Sequence, residues 1–219
     1  MIGRMWSNLV GFGFRLLYNE MAFTYDMVSY AVSFGDWREW QLAALKFLPD
    51  TSDAAILEIA YGTGHLQLAM KQSGRRVVGY DLSTAMGRIT QARLMKAQIS
   101  ATLVNGKAEQ LPFVSDHFAV VVTTFPTNFI ANPATLRDIR RVLVGQGRLV
   151  IVINGVLTGS GMLKRLIDGL YRITGQQGDG HLEAFCDRIA ENGFLVTVHD
   201  VKSKHGYAQI IVAESTKTV

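Results

Sequence analysis

The chain has 219 residues, 48% of them hydrophobic and 18% charged, with a formal net charge of +4. That length and balance fit one ordered globular domain with a sizeable core, and they exclude a disordered or strongly acidic chain. Lysines and arginines are scattered without a basic run to track a nucleic-acid backbone, and the lone Cys186 excludes an intrachain disulfide or a cysteine-based zinc cluster, which fits a reducing cytoplasm.

The N-terminal stretch "MIGRMWSNLVGFGFRLLY" is largely apolar, but its uncharged run, residues 5–14, is too short to span a bilayer as a helix. It shows no A-x-A-like cleavage site. Helical patterns over about 3–20, 22–33 and 37–48 predict a helical cap or lid over residues 1–50, ahead of one compact unit over 51–219. Two readings of the first helix stand side by side. It closes over a pocket of the domain, or it lies in a membrane interface and brings the protein to a lipid-soluble substrate.

From residue 54 strands and helices alternate. Strands are predicted at 54–60, 76–80, 101–105, 117–125 and 147–153, with helices at 64–72, 84–98 (Ser83 as its N-cap) and 133–143. "HFAVVVTTF" (117–125) is continuously apolar, as a strand buried on both faces requires. Helices at 161–174 and 181–191 and strands at 194–201 and 207–214 follow. Leu163, Leu166, Ile167, Leu170 and Tyr171 form one face of the 161–174 helix, which packs on the sheet or borders an acceptor pocket. The alternation predicts an α/β, doubly wound, mostly parallel sheet of seven strands. The short "KSKHG" link makes the last strand run against the others.

In such a sheet the ligand crevice lies at the carboxyl ends of the strands. "ILEIAYGTGHLQLAM" (56–70) places Glu58 inside an apolar strand, then Ala60, Tyr61, Gly62 and Gly64 where strand must become helix. Glycine there permits positive φ and a close approach of ligand to backbone. Asp81 closes the second strand, seventeen residues beyond Gly64, where a carboxylate can accept hydrogen bonds from two ribose hydroxyls.

These residues resemble motif I of class I S-adenosylmethionine-dependent methyltransferases, usually E/D-x-G-x-G-x-G. "GYDLSTAM" (79–86) is similar to the second motif, "GKAEQLPF" (106–113) to the adenine loop G-D-A-E-x-L-P-F, and "LRDIRRVLVGQGRLVIV" (136–152) to the segment written R-V-L-x-P-G-G. Upstream, "YDMVSYAVSFGDWREW" (25–40) resembles the N-terminal segment of the ubiquinone/menaquinone-biosynthesis C-methyltransferase family. The resemblance implies S-adenosyl-L-methionine as cofactor, a small, hydrophobic, quinone-like or otherwise lipid-soluble acceptor, and a cofactor site of Tyr25, Glu58, Ala60, Tyr61, Gly62, Gly64, Asp81, Leu82, Met86, Ala108, Glu109, Thr124 and Phe125. Three positions depart from the pattern. Ala60 replaces the first glycine, Lys107 the acidic residue of the adenine loop, and Gln146 disrupts the P-G-G turn.

Methyl transfer from a sulfonium depends mainly on alignment and exclusion of water, so a base is needed only if the acceptor must shed a proton. His65, His181 and Tyr25 are the candidates for that role, with Asp26 and Asn128 as alternatives. His117 and His205 fall further from the expected crevice, and the five histidines, His199 included, lack ligand spacing, so no metal is expected. A small-molecule substrate is expected, with no nucleic acid, a peripheral membrane contact through the first helix, and a monomer or homodimer. The rival readings are a catalytically silent module that binds S-adenosylmethionine or S-adenosylhomocysteine as a sensor or partner subunit, and a nicotinamide-dependent oxidoreductase, which the glycine spacing disfavours.

Overall fold

The computed structural model describes residue 33 and residues 35–50, 53–158 and 179–217, and of residues 179–181 only the backbone. The expected helices at 3–20 and 161–174, nearly all of 22–33, and Tyr25 and Asp26 lie outside the described residues. Within them the elements are α1 (Trp37–Leu42), running into a 3-10 turn Ala43–Phe47, β1 (Ala55–Ile59), α2 (His65–Gln72), β2 (Arg76–Asp81), α3 (Thr84–Lys96), β3 (Leu103–Asn105), β4 (Phe118–Thr124), α4 (Pro133–Val142), β5 (Leu143–Leu157), α5 (Asp179–Glu191), β6 (Phe194–Lys202) and β7 (Gly206–Ser215). Ser83 caps α3 by accepting from the Met86 amide, and Asn132 caps α4 by accepting from the Ala134 amide, with Pro133 at the first helical position.

The sheet has seven strands in the order β3-β2-β1-β4-β5-β7-β6. Neighbours from β3 to β5 pair in parallel, whereas β7 runs antiparallel to both β5 and β6. The strand order reverses between β1 and β4, so the ligand crevice of this architecture belongs at the carboxyl ends of β1, β2 and β4.

Alternation along the strands separates two cores. Leu57, Ile59, Val121, Leu149 and Ile151 face α4 and α5. Ile56, Val120, Val122, Val150 and Val152 face α1 and α2, packing with Trp40, Leu66 and Met70. Central strands therefore read as unbroken apolar runs because each face has its own helical layer.

α1 joins the second core rather than standing apart. Trp40 is buried over Gly155, where any Cβ would collide with its ring, and Trp37 stacks on Phe125 with ring centroids 4.0 Å apart. A polar clasp secures the same segment to the β6–β7 hairpin. The buried Asp36 carboxylate accepts from Ser203 Oγ (2.6 Å), from the His205 amide (2.8 Å) and pairs with His205 Nδ1 (2.8 Å), while Trp40 Nε1 donates to Ser203 Oγ (2.9 Å).

Burial alone would raise the Asp36 pKa, but the hydrogen bonds from Ser203 and His205 and the charge of His205 outweigh it and hold the carboxyl below its usual range. A depressed carboxyl stabilises the fold fully above the ordinary aspartate value, about pH 4, and that contribution is lost as pH falls through the folded value. Asp36→Ala is therefore expected to cost about 3 kcal/mol in urea unfolding at neutral pH. The difference from wild type should shrink in acid.

Candidate functional site

At the carboxyl edge of β1 the chain makes a turn whose backbone sets the site. Ala60, Gly62 and Gly64 all have positive φ, at 55°, 55° and 80°. Two are the glycines read as turn residues. The third is the alanine at the position where the methyltransferase motif carries glycine, and it takes the left-handed conformation at some strain. The departure in residue type leaves the bend intact. Gln146, inside β5, also takes a positive φ, 59°.

Thr90 on α3 locks the turn from beneath. Its Oγ1 donates to the Gly62 carbonyl (2.8 Å), and a Cβ on Gly64 would stand 2.5 Å from its methyl carbon. By contrast, a Cβ on Gly62 would meet nothing within 4 Å, so this glycine faces open space at the crevice.

Asp81 faces the turn from the end of β2. It is 8% exposed; Oδ2 accepts from the Gly62 amide (3.0 Å) and Oδ1 from the Ser83 amide (2.8 Å). Burial pushes its pKa up, and the amides of Ser83, Gly62 and Leu82 pull the other way. A carboxylate has about four acceptor sites, so with these amides bound Asp81 keeps capacity for a ligand hydroxyl. Beside it Leu82 is 66% exposed, an apolar side chain at the mouth of the crevice.

The loop 106–110 closes this side although Lys107 is exposed where the motif has an acid. Tyr80 Oη donates to the carbonyls of Lys107 (3.1 Å) and Gln110 (3.2 Å), and the Gly106 amide donates to the Asp81 carbonyl (3.1 Å). Backbone bonds thus hold the loop, with Ala108 buried and Glu109 partly buried.

Glu58 is 1% exposed, and neither of its oxygens has a hydrogen-bond partner. Burial drives its carboxyl pKa well above the ordinary value, and the nearby Asp81 charge adds to the rise, against some relief from the Gln67 amide. At the end of β4, Thr124 accepts from Gln41 Nε2 of α1 (3.4 Å), and Phe125 carries φ 48° beneath Trp37.

The structure therefore gathers Glu58, Ala60, Gly62, Gly64, Asp81, Leu82, Ala108, Glu109, Thr124 and Phe125 around one edge of the sheet. Two expected cofactor contacts turn inward. The Tyr61 ring is 4% exposed and fills the space over Gly79 and Gly87, and Met86 is fully buried. Their side chains support α3 and the turn from inside the core. Burial and the carboxylates of Asp81 and Glu58 raise the Tyr61 phenol pKa far above its usual range.

His65 opens α2 directly after Gly64 and is half-buried beside the crevice. His181 lies in the first turn of α5; a helix leading into β6 starts at the carboxyl edge of the sheet, and its side chain is outside the description. His117 is exposed at the opposite edge, before β4, Asn128 is exposed after it, and His205 is held in the clasp. Among the described residues no cluster of three or more metal-ligating side chains occurs, and no helix is long and apolar enough to cross a membrane. Sequence reasoning missed Thr90, Gln41 and Gln67. Each acts through a tertiary contact with no local motif.

Comparison with known proteins places this geometry. The model of the ubiE/COQ5 methyltransferase family matches residues 14–163. The ubiquinone/menaquinone biosynthesis C-methyltransferase UbiE of Syntrophotalea carbinolica is 34% identical over 161 residues, covering 72% of this chain and 66% of that protein. The demethylmenaquinone methyltransferase of Thermotoga maritima is 30% identical over 139 residues, covering 62% and 59%. The chain thus spans about three-fifths to two-thirds of the length of these relatives. Among solved structures, Haemonchus contortus phosphoethanolamine N-methyltransferase 2 in complex with S-adenosylhomocysteine superposes with a TM-score of 0.62 over 84% of this chain and 53% of that one, at 18% identity, a likeness of fold. Because the family model covers residues 14–163, more than half of the chain and including the turn and Asp81, the chain belongs to the ubiE/COQ5 methyltransferase family.

Proposed function

We propose that the protein is an S-adenosylmethionine-dependent methyltransferase acting on a small, hydrophobic, quinone-like acceptor. The observation that carries this reading is the turn between Glu58 and Asp81. Two buried carboxyls flank a left-handed backbone bend that opens at Gly62. Such an edge suits a nucleoside with a cationic tail: Asp81 would hold the ribose hydroxyls, Leu82 and the loop around Ala108 and Glu109 the adenine, and Glu58 with the turn the amino-acid end. Bound there, the cofactor would supply a methyl group already activated by a sulfonium.

The rest of the work falls to positioning. Phe125 and Thr124 border the space beyond the turn, and the Trp37–Phe125 stack lays α1 across it, which excludes water on that side. Residues 1–50 act as the cap and 51–219 as the transferase unit in this reading, with Tyr25 completing the cofactor site from the cap. His65, His181 and Tyr25 are the candidate bases where the acceptor carries an acidic proton. The names of the relatives support a quinone precursor, and the apolar sequence of residues 5–14 supports a peripheral membrane approach to it. The silent-module alternative finds no support in the comparisons, and Ala60 keeps the bend while the loop holds its place despite Lys107.

Purified protein incubated with methyl-labelled S-adenosylmethionine and a short-chain demethylmenaquinol is expected to label the quinol carbon. Label confined to unreacted cofactor, with demethylmenaquinol and ubiquinol precursors alike, would overturn the acceptor class. Deleting residues 1–20 is expected to reduce liposome co-sedimentation. Unchanged partitioning would remove the membrane approach.

A further inference from the structure

Beneath the turn, both carboxyl oxygens of Glu58 and both amide atoms of Gln67 stand without a well-formed hydrogen bond, although the Gln67 amide is near enough to Glu58 to ease its charge. Both side chains are essentially wholly buried. They share a face of the sheet. Glu58 pairs across strands with Gly79, and a Cβ on Gly79 would stand 3.0 Å from Gln67 Nε2. Buried polar groups are almost always paired, so four such atoms in one place mark a site completed by something that arrives.

The surroundings fix what that something must be. Asp81 comes from β2 and the Tyr61 phenol from the turn, and the charge of each ionised form would repel an ionised Glu58. α2 contributes the neutral amide of Gln67, and β4 contributes Val122. The charge that bears on Glu58 is that of the anionic Asp81. An ionised carboxylate without a partner in such surroundings costs several kcal/mol, whereas the neutral acid avoids most of that penalty.

We propose that Glu58 stands as a neutral carboxylic acid in the ligand-free protein and releases its proton to solvent when a cationic ligand occupies the turn, with Gln67 positioned to donate to the carboxylate that forms. This rests on the reading of the ligand as S-adenosylmethionine, whose sulfonium and ammonium supply the cation. One O–H bond breaks, the proton passes to buffer, and nothing is oxidised or reduced. The rise that burial imposes on the Glu58 pKa agrees in direction. By linkage, affinity for the cationic ligand grows with pH, up to about tenfold per unit, until free Glu58 ionises by itself.

Two measurements test this. The infrared difference between ligand-free wild type and Glu58→Gln at neutral pH is expected to show the carbonyl stretch of one protonated acid. A difference containing carboxylate bands alone overturns the proposal whether or not the protein binds anything. Calorimetry with S-adenosylmethionine in two buffers of different ionisation enthalpy is expected to show close to one proton released per ligand in wild type and none in Glu58→Gln. Gln67→Leu is expected to move the pH midpoint of affinity upward, which a merely structural amide would not do. Binding without proton release, or an unmoved midpoint in Gln67→Leu, overturns the proposal and leaves the cofactor reading standing. Failure to bind at all overturns both.

Discussion

Asp81→Ala is expected to weaken S-adenosylmethionine binding at least about a hundredfold in calorimetry. Two charge-assisted hydrogen bonds to ribose, at roughly 1.5 kcal/mol or more each, reach that figure. The same substitution removes the acceptor for the Gly62 and Ser83 amides, so part of the loss could come from a loosened turn. Asp81→Asn separates the effects. It keeps a carbonyl oxygen for one amide, and is expected to fall near tenfold in affinity with a melting temperature close to wild type. Equal affinities for all three proteins would show that the carboxylate is a turn-holding group only.

Gly64→Ala is expected to be strongly destabilising, at about 2–5 kcal/mol in urea unfolding. The φ of 80° contributes about 1–2 kcal/mol of strain for a residue with a Cβ, and overpacking against Thr90 about 1–3 more. Adding Thr90→Ala should return much of the overpacking part and none of the strain, although it removes the hydrogen bond to the Gly62 carbonyl. Gly62→Ala is the control: it suffers φ strain with open space around the new methyl, so its stability loss should be smaller while ligand binding falls. A Gly64→Ala protein as stable as wild type would mean the turn does not pack on Thr90.

Much of this was legible in the sequence because it was local. Strands buried on both faces announce themselves as apolar runs, and Asp81 and the two glycines sit at fixed spacing from strand ends. What eluded the sequence depends on distant partners. "VGQG" reads as a turn ahead of a strand over 147–153, yet β5 runs from Leu143 to Leu157, because Gln146 takes a positive φ and a register shift against β4 absorbs the irregularity. Its far end continues because Gly155 admits Trp40 and β7 pairs with it down to Gly206.

The helix expected over 37–48 is α-helical only to Leu42 and tightens to a 3-10 turn thereafter. β3 is shorter than predicted, and α3 stops at Lys96, just ahead of Gln98 with its positive φ. At the site, Tyr61 and Met86 were placed by motif position, but packing against Gly79, Gly87 and the core decides where side chains point. Asp36, Ser203 and His205 lie at opposite ends of the chain, and no pattern in either segment announces their contact.

The most direct test of the central claim is a crystal structure of the protein soaked with S-adenosylhomocysteine. The account predicts density at the carboxyl edge of β1 and β2, with the ribose hydroxyls on Asp81 and the adenine between Leu82 and the 106–110 loop. An empty edge at saturating ligand, or ligand bound away from Asp81, would contradict it.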